Sequence, residues 1–404
     1  MAQPSHYGRI CGVIPNGALA WTYRTALFGS RERGVERTAF SCAEHRILSR
    51  PAARGWLDSH NRQLPLATCN LKLETALVPL PELELIRRIR RLAGSRYRVP
   101  QVRARHLGAN LGETGHAIGD DCAILDIPRG HEVLVTTDFS LEGIHFRRDW
   151  HPPDSVGHRC LARGLSDIAA MGGIPRAAFL SLALPAALPQ HWADEFIRGL
   201  LKLAKRYSVA LAGGDTAQSP NGILTDIIVV GSAPKGKAVL RSGARPGDII
   251  CVSEILGASV AALEQLRAGK KLRPRAHIRH FYPDPRIALG QYLREHHLAS
   301  AMIDTSDGLS SDLRHICDES RVGAIIEASA LPTTRGNKAL QFALHGGEDY
   351  ELLFTVPPNR RIPNTIAGVP ITRIGTITRE KQIELHTRDG NSEPLAPHGW
   401  QHLA

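Results

Sequence analysis

Residues 131–138 read His-Glu-Val-Leu-Val-Thr-Thr-Asp. Val, Leu and Thr in close succession predict a β-strand over His131–Thr137, closed by Asp138. Working outward, Asp154 is placed to cap a helix over Ser155–Met171, and Phe179–Leu184 reads as the next strand. Gln190–Tyr207 spaces Trp192, Phe196, Leu200, Leu203 and Ala204 along one helical face. Strands follow at Val209–Ala212 and Thr225–Gly231. Residues 232–248, rich in Gly, Pro and basic side chains, read as a connection between domains. Beyond it come a strand at Ile249–Val252, helices at Gly257–Arg267 and Pro285–Glu295, and a strand at Ser300–Asp304. A helix at Ser311–Glu319 and strands at Gly323–Glu327, Glu351–Val356 and Arg373–Ile377 complete the pattern. This alternation predicts an α/β (α+β) chain of two domains, 82–235 and 236–404. No internal repeat or low-complexity tract interrupts it.

Upstream, Glu82–Leu92 places Leu85, Ile86, Ile89 and Leu92 at helical spacing, with basic residues on the other face. Residues 1–81 differ: periodicity is poor, and Arg, Ala, Gly and Pro punctuate the stretch. They read as a disordered tail, an accessory segment or, preferentially, translation upstream of the true start. The methionines are Met1, Met171 and Met302, so that start would use a non-ATG codon such as Val78.

With 404 residues, 43% hydrophobic and 22% charged, the chain has the composition of a globular enzyme and excludes wholesale disorder. No apolar run reaches membrane-spanning length and no secretory signal stands at the N-terminus, so neither membrane insertion nor export is expected. Seven scattered cysteines form no CxxC pair; that fits free thiols in a reducing cytoplasm and argues against a zinc site. Cys122 and Cys160 read as small core residues. Of the net charge of +11, residues 1–81 hold +5 (ten basic against five acidic groups) and the remaining 323 residues hold +6 (40 against 34); with no basic helix and no run of five like charges, nucleic acid is not an expected partner.

Walker, GxGxxG, GxSxG and protein-kinase motifs are all absent from the sequence. What recurs is Asp beside Gly or Thr at strand ends: Gly119-Asp120-Asp121, Thr136-Thr137-Asp138, Gly213-Gly214-Asp215-Thr216, Asp304-Thr305-Ser306-Asp307-Gly308 and Gly346-Gly347-Glu348-Asp349. Ser166-Asp167 lies on the helix between two of them. Taken singly, each is equally a turn or a helix cap. Brought together, so many carboxylates would repel one another unless divalent cations sat between them, and oxygen-only ligands suit Mg²⁺. Adjacent glycines let backbone N–H groups approach phosphate oxygens. The set therefore points to metal-assisted phosphoryl transfer without a Walker loop.

The stretches Ile118–Ile124, Thr137–Phe146, Leu165–Gly172, Gly213–Thr216, Arg241–Asp248, Ile303–Leu309 and Gly346–Leu352, in that order, resemble the thiamine-monophosphate kinase family over residues 82–404. The resemblance implies the two-domain fold shared with aminoimidazole ribonucleotide synthetase. It also implies a homodimer through the N-terminal domain, and ATP in the cleft between domains. The implied reaction is ATP plus thiamine monophosphate giving ADP plus thiamine diphosphate, the last step of thiamine diphosphate biosynthesis, by direct in-line transfer. The family's Mg²⁺ positions match Asp121, Thr136, Thr137, Asp138, Asp167, Asp215, Asp304 and Asp307, with Asp138, Asp167 and Asp215 central to catalysis. ATP contacts match Gly214, Asp215, Arg241 and Ser306; substrate contacts match His145, Glu348 and Trp400. Alternatives stay open for three residues: His145 as a buried structural histidine, Trp400 as terminal packing, and Asp120 as a turn residue. Two rival functions stay open as well, another ATP-using enzyme of the superfamily and a non-catalytic nucleotide-binding maturation protein.

Overall fold

A computed structural model describes residues 82–93 and 122–400. The expected N-terminal extension falls outside these residues. In chain order the elements are α1 (Glu82–Ala93), β1 (His131–Leu141), α2 (Pro153–Ala170), β2 (Ile174–Pro185), α3 (Gln190–Arg206), β3 (Ala210–Ser219) and β4 (Leu224–Pro234). Then follow β5 (Ile249–Ser253), α4 (Ala258–Arg267), α5 (Ile278–Phe281), α6 (Ile287–Glu295), β6 (Ala301–Asp304), α7 (Leu309–Ser320), β7 (Gly323–Glu327) and α8 (Ala339–His345). The last strands are β8 (Leu352–Val356), β9 (Thr365–Ile366), β10 (Val369–Thr378), β11 (Ile383–His386) and β12 (Ser392–Pro394).

Two mixed sheets result. The first runs β1-β4-β2-β3; the second runs β12-β11-β7-β10-β5-β8-β6, with β9 against β10. Along β1 the pleat alternates: Leu134 and Ser140 are buried, and Thr136 and Asp138 lie on their side, whereas Val133, Val135 and Phe139 are exposed on the other. Helices α2 and α3 cover the buried face. They approach closely because Gly157 and Gly199 carry no side chain; a Cβ at either would stand 1.9 Å from a carbonyl oxygen of the facing helix. Leu161, Leu165, Ile168, Phe196, Ile197 and Leu200 are fully buried beneath this pair.

Helix α2 also reaches the second sheet. Ser166 Oγ donates to Asp304 Oδ2 at 2.6 Å, and Gly290 on α6 lies so near Ala169 that a Cβ would be 2.1 Å from its carbonyl oxygen. Ser155 Oγ donates to the Phe281 carbonyl oxygen at 2.7 Å, and Tyr282 Oη donates to Asp154 Oδ2 at 2.9 Å. One helix thus fixes how the two sheets face each other.

Several boundaries differ from expectation. Asp154 lies within the first turn of α2, behind Pro152 and Pro153; with proline supplying the start, no side-chain cap forms. Thr136-Thr137-Asp138 and Gly213–Thr216 lie inside strands, not at their ends, because β1 and β3 continue pairing past them. Gly214 allows this: its φ is 149°, and a Cβ there would stand 1.9 Å from the Leu180 carbonyl oxygen. Leu92 is exposed, and Ala93 takes the buried place on α1. Cys122 is exposed, while Cys160 is buried in the core as expected. Helix α8 and strands β11 and β12 were not foreseen.

Candidate functional site

A cavity of about 450 Å³ opens between the two sheets, a size typical of small-molecule sites. The first sheet and its helix contribute Asp138, His145, Arg163 and Asp167; the second half contributes Asp304, Ser306, Asp307, Glu348, Tyr350 and Trp400. Strand alternation turns Asp138 inward, opposite Ile227 of β4. Asp304 ends β6, whose four residues are all buried, so its carboxylate is delivered to the mouth of a rigid element.

Burial, together with mutual repulsion, pushes the carboxyls of this cluster above their ordinary range. The Asp138 carboxyl is pushed up to about 7 by burial and by Asp167. Asp304 is pushed up to about 7 by the same causes, burial first. Asp167 is also raised, chiefly by burial; its bond from Thr136 Oγ1 and its contact with the Asp138 carboxyl partly offset the shift. Carboxyls this close must share protons or a cation. The donors are all oxygens, which fits Mg²⁺. Among the described residues, no three His, Cys, Asp or Glu side chains close around one point. An ion here would therefore draw on few carboxylates and complete its shell with water and phosphate oxygens.

The opposite wall has the reverse balance. Glu348 is half-buried, yet Arg159 and Arg163 outweigh its loss of solvent and hold its carboxyl down at about 2. Arg159 Nη2 donates to Glu348 Oε2 at 2.8 Å, and a second donor of the same guanidinium takes the His280 carbonyl oxygen. Glu348 Oε1 is buried without a hydrogen-bond partner. Glu348 and Tyr350 have φ of 64° and 54°, left-handed values for non-glycine residues. This local strain bends the turn so that Glu348 lines the cavity while Asp349 binds the N–H groups of Gly257 and Ser259. Trp400 lies at the rim; its main-chain N–H donates to the Asp307 carbonyl oxygen at 3.1 Å, and Ser311 Oγ accepts from Gly399 N at 3.1 Å.

Of the residues nominated from sequence, the cavity gathers Asp138, Asp167, Asp304, Asp307, Ser306, His145, Glu348 and Trp400. Thr136 supports it through Asp167. Thr137 does not bring its hydroxyl in: the pleat turns it to the opposite face, where it donates to Asp226 Oδ1 at 2.6 Å. Gly214 and Asp215 line a separate pocket of about 120 Å³ with Ile86 and Ile89, on the far edge of the first sheet. Arg241 is exposed but close enough to Asp167 and Asp304 to stabilise their charged forms. Asp121 lies outside the described residues. Sequence reasoning missed Arg159 and Arg163. Their spacing with Asp167, four residues each along α2, was the available signal, because it marks one charged stripe on a largely buried helix.

A two-domain α/β chain with an acid-lined cleft of this kind defines a class, and the class has a match. The family model "AIR synthase related protein, N-terminal domain" matches residues 119–233, and its C-terminal counterpart matches residues 245–388. The chain is 40% identical over 320 residues to the thiamine-monophosphate kinase of Escherichia coli K12, spanning 75% of this chain and 95% of that protein. It is 41% identical over 308 residues to that of Salmonella typhimurium, spanning 72% and 92%. The structure of AaThiL complexed with AMPPCP and TMP superposes with a TM-score of 0.62 and 34% identity, covering 71% of this chain and 92% of that one. The thiamine-monophosphate kinase of Stenotrophomonas maltophilia K279a also gives 0.62 and 34%, covering 69% and 91%. The hydrogenase maturation protein HypE in complex with ATP, at 19% identity and a TM-score of 0.59, shares the fold. The chain belongs to the thiamine-monophosphate kinase family, and so to the kinases.

Proposed function

We propose that the protein transfers the γ-phosphate of ATP to the phosphate of thiamine monophosphate, giving thiamine diphosphate and ADP by in-line displacement with Mg²⁺. The observation that carries this reading is the convergence, from both halves of the fold, of raised carboxyls and a guanidinium-held Glu348 around one cavity. Phosphoryl transfer asks mainly for positioning and charge neutralisation. Mg²⁺ bound there offsets the repulsion between two approaching phosphates. Asp138 and Asp167 would hold a cation between them, with Asp304 and Asp307 continuing the acidic wall beside it. The acceptor phosphate is already ionised near neutral pH, so no side chain need act as a strong base. Glu348, whose Oε1 has no hydrogen-bond partner, accepts an N–H from the aminopyrimidine or faces the thiazolium, while Trp400 offers a face on which either ring stacks.

Asp121, Thr137, Gly214, Asp215 and Arg241 remain proposed cation or nucleotide residues on the family resemblance; any part Thr137 plays falls to its main chain. The division into domains 82–235 and 236–404 is proposed on the same footing. A homodimer is supported by β1, an edge strand exposing Val133, Val135 and Phe139 on one face. Among the described residues no helix is long and apolar enough to cross a membrane; residence in the cytoplasm is the proposed location. The deciding experiment is an ADP-release assay with thiamine monophosphate, free thiamine and formylglycinamidine ribonucleotide side by side. Turnover with the first alone supports the reading; turnover with the third alone would replace it.

A further inference from the structure

Arg159, Arg163 and Asp167 follow one another at four-residue spacing on α2, so all three side chains lie on one stripe. Arg159 is committed: it holds Glu348 Oε2 and the His280 carbonyl oxygen. Arg163 is not. Its Nε stands 3.6 Å from Asp138 Oδ1 and its Nη1 3.7 Å from Glu348 Oε1, both longer than a charged hydrogen bond. The side chain is only 13% exposed, and its Nε is buried with no hydrogen-bond partner. A buried guanidinium with unused donors is costly in a folded chain. As a counter-ion for Glu348 it is redundant, because Arg159 already fills that role at 2.8 Å.

Its position gives it another use. Arg163 lines the cavity between the acid cluster at Asp138 and the carboxylate of Glu348. An acceptor with an organic cation near Glu348 and a phosphate directed at the acid cluster must pass its phosphate across this gap. A planar guanidinium fork matches two phosphate oxygens. We propose that Arg163 binds the phosphate of the acceptor, holding it between Asp138 and Glu348 for attack on ATP. The proposal rests on thiamine monophosphate being the acceptor.

The test compares two ligands that differ only by that phosphate. Thiamine monophosphate and free thiamine are each titrated calorimetrically into the full chain with Mg²⁺, for the wild type, Arg163→Lys and Arg163→Met. Arg163→Met is expected to weaken thiamine monophosphate about 10- to 100-fold, the range for a charged hydrogen bond, and to leave thiamine within about twofold. Arg163→Lys keeps the charge but loses the fork, and should fall between. Equal weakening of both ligands, or of neither, would overturn the assignment and leave Arg163 a counter-ion. Should Arg163→Met fail to fold, the same ratio read on Arg163→Lys decides. A wild type that does not bind thiamine monophosphate would instead refute the functional reading beneath the proposal.

Discussion

Two walls of one cavity treat carboxyl groups in opposite ways. On the wall built by β1, α2 and β6, Asp138 and Asp304 are pushed up to about 7 by burial and by Asp167. On the wall built by the turn before β8, Glu348 is about as enclosed as Asp138 yet is held down at about 2 by two arginines. Burial is common to both, so the difference lies in the neighbours. On the first wall the clustered carboxyls outweigh the guanidiniums of Arg163 and Arg241 near them, which leaves room for an added cation. On the second, a single carboxylate meets two guanidiniums from α2, with donors to spare for an anion. A reaction joining two phosphates needs both.

The comparison breaks most visibly at Asp138. Asp138→Asn removes a cation ligand while keeping the strand, and turnover should fall by about 10³-fold or more, with secondary structure unchanged by circular dichroism. Near-normal activity at saturating Mg²⁺ would remove the first wall from the chemistry. On the second wall, Arg159→Met leaves Glu348 and the His280 carbonyl oxygen without their shared donor. Breaking a buried pair this way should cost about 3 kcal/mol in chemical denaturation; a change under about 1 kcal/mol would mean the pair is structurally idle. Glu348→Gln should raise KM for thiamine monophosphate about tenfold and change KM for ATP less, as steady-state kinetics would show. The reverse ordering would transfer Glu348 to the nucleotide.

The smallest effect concerns pH. Asp138 and Asp304 bind protons more tightly folded than unfolded, between about pH 4, the ordinary carboxyl value, and about 7. Their contribution to stability is therefore present at low pH and is lost as pH rises through that window. Thermal melts without Mg²⁺ should show this loss. Mg²⁺ should raise Tm more at pH 7.5 than at pH 5.5, because it binds the ionised form. An equal rise at both would place cation binding elsewhere.

Much of this was legible in the chain itself. The strand beginning at His131, the helix through Asp167 and the alternation beyond Ile249 follow from periodicity, which long amphipathic elements state plainly. Asp304 and Asp307 stood out because a carboxylate after a short apolar strand has little packing reason to be there. Other features depend on partners distant in sequence. The strand β3 continues through Gly213-Gly214-Asp215 because Leu180 of β2 accepts a close backbone there, and no local propensity encodes that. Arg159 and Arg163 look like ordinary helix-surface cations until Glu348, far along the chain, folds back against them. The hydroxyl of Thr137 turns away from the cavity for a simpler reason: three consecutive residues on a strand cannot share a face.

The most direct measurement is a crystal structure of the full chain with Mg²⁺, AMPPCP and thiamine monophosphate. Cation density between Asp138 and Asp167, with the acceptor phosphate within hydrogen-bond reach of Arg163, is the expected result. Cations bound away from these carboxylates, or an acceptor phosphate outside the cavity, would contradict it.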